Sequence, residues 1–321
     1  MADPASGGGE GDAADGRTVI AGPDAVRAAL RDHGYLADEG LATVVFLALT
    51  LHRPLLLEGE AGVGKTEVAK VLSRWTGGEL LRLQCYEGID AAQAVYEWDY
   101  ARQLLHLRTA EARAAGGGGA VGPDVEDELF SERFLVRRPL LAAVTAPADA
   151  PAPVLLVDEV DRADDEFEAF LLEVLADYSI TVPELGTFTA AVPPVVVITS
   201  NRTRDVHDAL KRRCFYHWVE HPDFDLEVQI VALRAPSVAP ALGRQVAAAV
   251  ERVREMGLYK APGVAETIDW AEAIAALGRT ALDEEAVTRT LGVAVKYRED
   301  VERVLAGGVE ELTRAAVQRA G

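Results

Sequence analysis

"LLLEGEAGVGKTEVAK", residues 55–70, passes from aliphatic to glycine-rich to helix-forming within one short run. The chain has only five lysines among its 32 basic residues, at 65, 70, 211, 260 and 296, and two of them fall here. Gly59, Gly64, Lys65 and Thr66 satisfy G-x-x-x-x-G-K-[ST], with Glu60, Ala61, Gly62 and Val63 between the glycines. The aliphatic run before them reads as a buried strand and "KTEVAKVLSRWTG" as a helix, the context this motif requires. Glycines let successive N–H groups turn toward phosphate oxygens, and the positive end of the new helix adds to their pull. Lys65 brings a point charge for the β- and γ-phosphates, Thr66 a hydroxyl ligand for Mg²⁺, and Glu67 continues the helix behind them. The stretch predicts a nucleotide-binding loop of residues Gly59 to Glu67.

Working outward, "VLLVDEVDRADDEF" is a second aliphatic strand whose last residues are Asp158 and Glu159. In open parallel sheets ligands bind at the carboxyl ends of strands, which suits Asp158 to the Mg²⁺ shell and Glu159 to taking a proton from an attacking water. Asp161, Asp164, Asp165, Glu166 and Glu168 are expected in the solvated first turn of the following helix, where its dipole favours them. "PPVVVITSNRTRDVHDALKRRC" is a third strand ending at Ser200 and Asn201, then a short helix closing on Lys211, Arg212 and Arg213. The Asn201 amide at that tip suits γ-phosphate and water; the alternative is a helix cap. Arg212 and Arg213 suit a finger delivered to a neighbouring subunit; the alternative is a solvated basic cluster.

Strand-like runs ("RPLLLEG", "LLRLQC", "PVLLVDE", "PPVVVITSN", "FYHWVEH") alternate with helix-like ones up to about residue 221. That alternation predicts an α/β fold, a parallel sheet with helices on both faces, which together with the G-x-x-x-x-G-K-[ST] motif reads as a P-loop NTPase sheet. From 222 to 321 only helix-like segments follow, "SVAPALGRQVAAAVERVREMG", "VAETIDWAEAIAALG" and "EEAVTRTLGVAVKYREDVERVL", which marks a second, all-helical domain. Residues 1–17, Gly-, Ala- and Asp-rich, are expected to be a disordered tail, and about 111–125 ("EARAAGGGGAVGPD" and its edge) a flexible insertion in the core of 18–221.

The net charge of −20, from 52 acidic against 32 basic residues, argues against nucleic acid as a partner, since such affinity rests on Lys and Arg neutralising phosphates. Cys85 and Cys214, the only cysteines, are expected as reduced, buried thiols of a cytoplasmic protein. No apolar run reaches the roughly 18 residues of a membrane span, and "LATVVFLALTL" falls well short. His217 and His221 have HxxxH spacing but lie on a strand pattern, and no zinc site is expected there. Tyr86, Tyr96, Trp98 and Tyr100 are expected mainly in core packing, with grip on a client as the alternative.

Taken together, these residues resemble the AAA+ ATPases, and among them the MoxR family, from residue 18 onward. "LQCYEGIDAAQAVYEWDYARQLL", "ELFSERFLVRRPLL" and "TSNRTRDVHDALKRRC" look like the CoxD-type branch, accessory ATPases of carbon monoxide dehydrogenase maturation. The resemblance implies Lys65 and Thr66 as Walker A, Asp158 and Glu159 as Walker B, Asn201 as sensor 1, and Arg213, with Arg212 as the alternative, as arginine finger. "SITVPELGTFTA" matches the hairpin preceding sensor 1, and the helical domain matches an AAA+ lid. It further implies ATP and Mg²⁺ as cofactors, a homo-oligomeric ring such as a hexamer, a von Willebrand factor A domain partner, and remodelling of a client metalloenzyme. The chain departs from the family where many members carry a sensor 2 arginine: the aligned position is Thr267, leaving Arg279 or Arg289 for that role, or no arginine at all. Two other readings stand beside the remodelling ATPase: a nucleotide-gated assembly switch with negligible turnover, and a nucleic-acid motor.

Overall fold

Nine strands form in the computed structural model, which describes residues 20–117 and 128–321. They are β1 (Leu55–Glu58), β2 (Leu80–Gln84), β3 (Tyr96–Trp98), β4 (Leu135–Arg137), β5 (Val154–Asp158), β6 (Ser179–Val182), β7 (Gly186–Thr189), β8 (Val195–Ser200) and β9 (Phe215–Trp218). Five of them make one sheet in the order β2-β5-β8-β1-β9, every pairing parallel. Alternate residues of each strand point to opposite faces, and both faces are covered. Leu56, Leu155, Val157, Val196 and Ile198 enter one apolar cluster; Leu55, Leu57, Val154, Leu156 and Val197 enter another on the opposite side. Double burial is why these strands are runs of Leu, Val and Ile rather than alternating polar and apolar residues. In the central strands β1, β5 and β8 it leaves polar side chains at the carboxyl ends, which the register brings side by side: Glu58 lies opposite Ser200, and Asp158 lies opposite Gln84 of the edge strand β2.

The chain beyond Trp218 contains helices alone, Phe224–Arg234, Pro240–Arg254, Val264–Ala276, Glu284–Ala294, Arg298–Ala306 and Val309–Ala320. They enclose their own core, in which Trp270 is fully buried and donates its indole N–H to Thr290. The helix-like run 284–305 is broken in two. Val295 and Tyr297 take extended backbone at the break, and Val295 is buried in the bundle. A β-branched residue anchored this way ends one helix and re-aims the next.

In the segment expected as a flexible insertion, the helix Tyr100–Gly117 runs straight through 111–117. Glu111, Ala112, Arg113, Ala114 and Ala115 are strong helix formers and extend it; 118–125 and the tail 1–17 lie outside the described residues. The anticipated hairpin is present as β6 and β7, paired antiparallel. Of the four aromatics, Trp98 is buried edge-on against Tyr96 and Phe130, whereas Tyr86 and Tyr100 are 47% and 68% exposed. Cys85 and Cys214 are free, buried thiols.

Candidate functional site

The carboxyl tips of β1, β5 and β8 open into a cleft of about 620 Å³, closed on the other side by the C-terminal helices. Its floor starts with the glycine-rich loop. Gly59 has φ 157°, and a Cβ there would meet the Val219 carbonyl oxygen at 2.3 Å, so only glycine fits between β1 and the end of β9. Gly64 precedes the helix Lys65–Thr76 without any side-chain cap, which leaves the first-turn N–H groups facing an incoming anion. Lys65 is 5% exposed and donates to the carbonyls of Gly59 and Glu60 at 2.8 and 2.6 Å. Burial lowers its pKa from the ordinary lysine value, opposed by Asp161, Asp158, Glu159 and Glu60. A phosphate oxygen would offer that ammonium a better acceptor than two neutral carbonyls.

Thr66 donates to Asp158 Oδ1 at 3.0 Å, which joins the expected metal-binding pair. A hydroxyl and a carboxylate are hard oxygen donors and fit Mg²⁺. Glu159 follows in a left-handed conformation, φ 56°, which is costly for a residue with a Cβ and turns the chain sharply at the strand tip. Its carboxylate accepts from Asn201 Nδ2 at 3.2 Å, from Gln84 Nε2 at 3.2 Å, and pairs with Arg162 at 2.9 Å. Asn201 therefore reaches the expected base directly.

Thr199, one residue before the β8 tip, donates to Asp158 Oδ1 at 2.6 Å and accepts the Glu159 N–H at 2.9 Å. Arg82 bonds Asp158 Oδ2 through Nε and Nη2 at 3.1 and 2.6 Å. Thr199, Arg82, Gln84 and Arg162 are absent from the expected site; the signal for the first three is a polar side chain inside an otherwise aliphatic strand run.

Two of the acids expected in a solvated turn are buried. Asp161 accepts from the N–H groups of Asn201 and Thr203 at 3.1 and 2.8 Å, and Glu168 accepts from His207 N–H at 2.8 Å and pairs with Arg204. The loop after β8 has no ladder partner, so these carboxylates satisfy its backbone and fix the segment carrying Asn201. Asp164 caps the helix Asp165–Asp177 through the Phe167 N–H, and Asp165 and Glu166 are exposed.

Arg212 and Arg213 are exposed at the end of the helix Asp208–Arg213 and are absent from the cleft lining. Arg213 Nη1 reaches the Leu172 carbonyl at 3.4 Å.

The roof is formed by Leu226, Ile230, Leu233 and Arg234 of one helix and Val264, Ala265 and Ile268 of another. Thr267 turns away from the cleft: it is fully buried and donates to Glu227 at 2.6 Å, which also holds Arg254. Neither suggested substitute reaches the cleft. Arg279 pairs with Asp283 and Glu285, and Arg289 with Glu285, on the bundle's own surface. The arginine that lines the cleft from the helical side is Arg234, which donates to Glu67 Oε1 at 3.0 Å. Against the effect of burial, hydrogen bonds from Arg234 and Arg74 hold the Glu67 carboxyl below its ordinary pKa. The roof also touches the loop backbone to backbone: Val264 N–H donates to the Gly62 carbonyl at 3.0 Å, and a Cβ on Gly263 would lie 2.7 Å from Gly62 Cα.

Residues 54–214, half of the 321-residue chain, match the AAA domain, dynein-related subfamily. The chain belongs to this family. Membership implies nucleotide binding and hydrolysis in general terms, and AAA domains commonly assemble into rings. The chain is similar to the RuvB Holliday junction branch migration motor of Thermotoga maritima at 14% identity and TM-score 0.44, covering 79% of this chain and 67% of that one. A mutant of the same RuvB gives 14% identity and TM-score 0.44 over 78% of this chain and 66% of its own. The chain thus spans about two thirds of the length of each. No curated protein matches it. Among the described residues, no helix of this AAA domain is long and apolar enough to cross a membrane.

Proposed function

We propose that the chain is a MoxR-type ATPase subunit that remodels a protein client, in the assembly or maturation of a metalloenzyme. The observation that carries the ATPase reading is convergence: Lys65 and Thr66, Asp158 and Glu159, and Asn201 line one cleft although they come from three separate strand ends. Gly59 to Glu67 would wrap the phosphates of ATP, with Lys65 leaving its two carbonyls for them. Thr66 and Asp158 would hold Mg²⁺, which neutralises charge developing on the phosphates. Glu159, oriented by Asn201, takes the proton of the attacking water. In a ring such as a hexamer, Arg213, with Arg212 beside it, supplies the neighbour's cleft with a charge it cannot supply to its own. Two free, buried thiols, Cys85 and Cys214, support a cytoplasmic setting, and the family resemblance supports a von Willebrand factor A domain partner. The net charge of −20 favours a protein client over nucleic acid.

Mixing two defective subunits tests the shared site. Arg213→Ala keeps its own Glu159 and offers no finger; Glu159→Gln cannot fire and offers a good one. Each alone should lose about 10³-fold or 10²-fold of the ATPase rate, respectively. Allowed to exchange, the two should recover part of it, most at equal ratio. No recovery despite co-assembly would mean that Arg213 works in its own subunit, that it only holds the fold, or that the ring requires every site to fire, and a titration of wild type with either variant separates the three. Intact ATP binding by the wild type with negligible turnover would favour the assembly switch, and stimulation by DNA the motor.

A further inference from the structure

The carboxylate of Asp158 has no acceptor position to spare. Oδ1 takes the hydroxyls of Thr66 and Thr199, at 3.0 and 2.6 Å, and Oδ2 takes Arg82 Nε and Nη2, at 3.1 and 2.6 Å. An ionised carboxylate offers about four lone-pair sites, and all are used. If Asp158 is to serve a metal shell, a donor must leave. Thr199 is tied at its other side by the Glu159 N–H. Arg82 has the freedom to go: its side chain is 53% exposed on the edge strand β2, whereas that of Asp158 is 4% exposed. It is also the donor whose charge conflicts with a divalent cation beside the same carboxylate.

Arg82 is connected to the base as well. Residues 82 and 84 are two apart on β2 and so share a face, and Arg82 Nη2 donates to Gln84 Oε1 at 2.5 Å while Gln84 Nε2 donates to Glu159 Oε2 at 3.2 Å. Asp158 and Glu159 are thus bracketed by one pair of side chains on the neighbouring strand. We propose that Arg82 is a competitor of the metal for Asp158. It is a positioning residue: it acts on the metal shell through Asp158 and touches no reacting atom. The inference rests on the ATPase reading above.

The test is a Mg²⁺ titration of fluorescently labelled ADP binding in wild type, Arg82→Gln and Arg82→Lys, with an EDTA arm. Competition predicts that half-saturating Mg²⁺ falls about fivefold in Arg82→Gln, a magnitude suited to a half-exposed ion pair, with Arg82→Lys between. Binding in EDTA should be the same in all three. The thermal midpoint of Arg82→Gln should drop in EDTA and rise with limiting Mg²⁺ and ADP by more than that of wild type, an excess that tighter metal binding requires and a purely structural role for Arg82 would not give. Half-saturating Mg²⁺ that is unchanged or higher in Arg82→Gln, with wild type binding normally, overturns the competition alone. Wild type that binds no nucleotide at any Mg²⁺ concentration overturns the ATPase reading and this inference with it.

Discussion

The floor and the roof of the cleft are built by different means. On the floor, the polar groups follow the strand ends: Lys65 and Thr66 at the helix that the loop after β1 leads into, Asp158 and Glu159 at the end of β5, Thr199 and Asn201 at the end of β8. A doubly buried sheet has nowhere else to put them. The roof is made of Leu226, Ile230, Leu233 and Ile268 with one arginine, Arg234, brought there by how helices pack, and it meets the floor where Gly263 touches Gly62. The contrast teaches that a strand tip fixes chemistry locally, whereas a helix contributes to a site only through the angle at which its bundle sits.

The largest effect should come from the floor. Lys65→Ala removes the one ammonium inside the loop and should weaken ATP binding about 100-fold, read by titration with a labelled nucleotide. A loss below about fivefold would mean that the backbone N–H groups carry the phosphates and would dissolve the contrast from the floor side.

Gly263→Ala asks whether the roof's contact with the loop matters. Its Cβ would be pushed to 2.7–2.8 Å from Gly62 backbone atoms, so the helix Val264–Ala276 must shift. Overpacking of this kind costs about 1–3 kcal/mol, and we expect roughly tenfold weaker nucleotide binding with the bundle's own core intact. Unchanged affinity would show that the roof is dispensable for binding.

Smaller still is Arg234→Ala, expected to weaken nucleotide binding about fivefold, because its partner Glu67 keeps Arg74 and Lys70. Thr267→Val should instead lower the thermal midpoint and leave nucleotide affinity alone, since Thr267 serves Glu227 inside the bundle. Should Thr267→Val prove the more damaging to binding, the assignment of the cleft arginine to Arg234 would be wrong.

The same contrast accounts for what the sequence makes legible. Consecutive motif residues such as Gly64-Lys65-Thr66 or Asp158-Glu159 carry their context with them, because an aliphatic run and the break after it can be seen in one dimension. The five parallel strands are legible for the same reason. Arg82 and Gln84 are harder: their partners are 76 and 75 residues away, and only the β2–β5 register brings them together. Asp161 and Glu168 mislead because local charge suggests a solvated turn, while the loop after β8 requires buried acceptors. Arg234 is hidden for a different reason. A basic residue at a helix C-terminus is common on dipole grounds alone, and only the packing of Phe224–Arg234 over the loop distinguishes it from Arg279 or Arg289.

One measurement goes to the centre of the account: ATP binding and phosphate release by Glu159→Gln beside wild type. The carboxamide keeps the size of the side chain and can accept from Asn201 or from Gln84, though not from both, and it cannot accept the proton of water. The variant should hold Mg²⁺ and ATP within about threefold of wild type while its turnover falls about 100-fold or more. Turnover that survives the change, or binding lost in proportion to it, would contradict the assignment of Glu159 as the base and with it the claim that this cleft hydrolyses ATP by the residues gathered there.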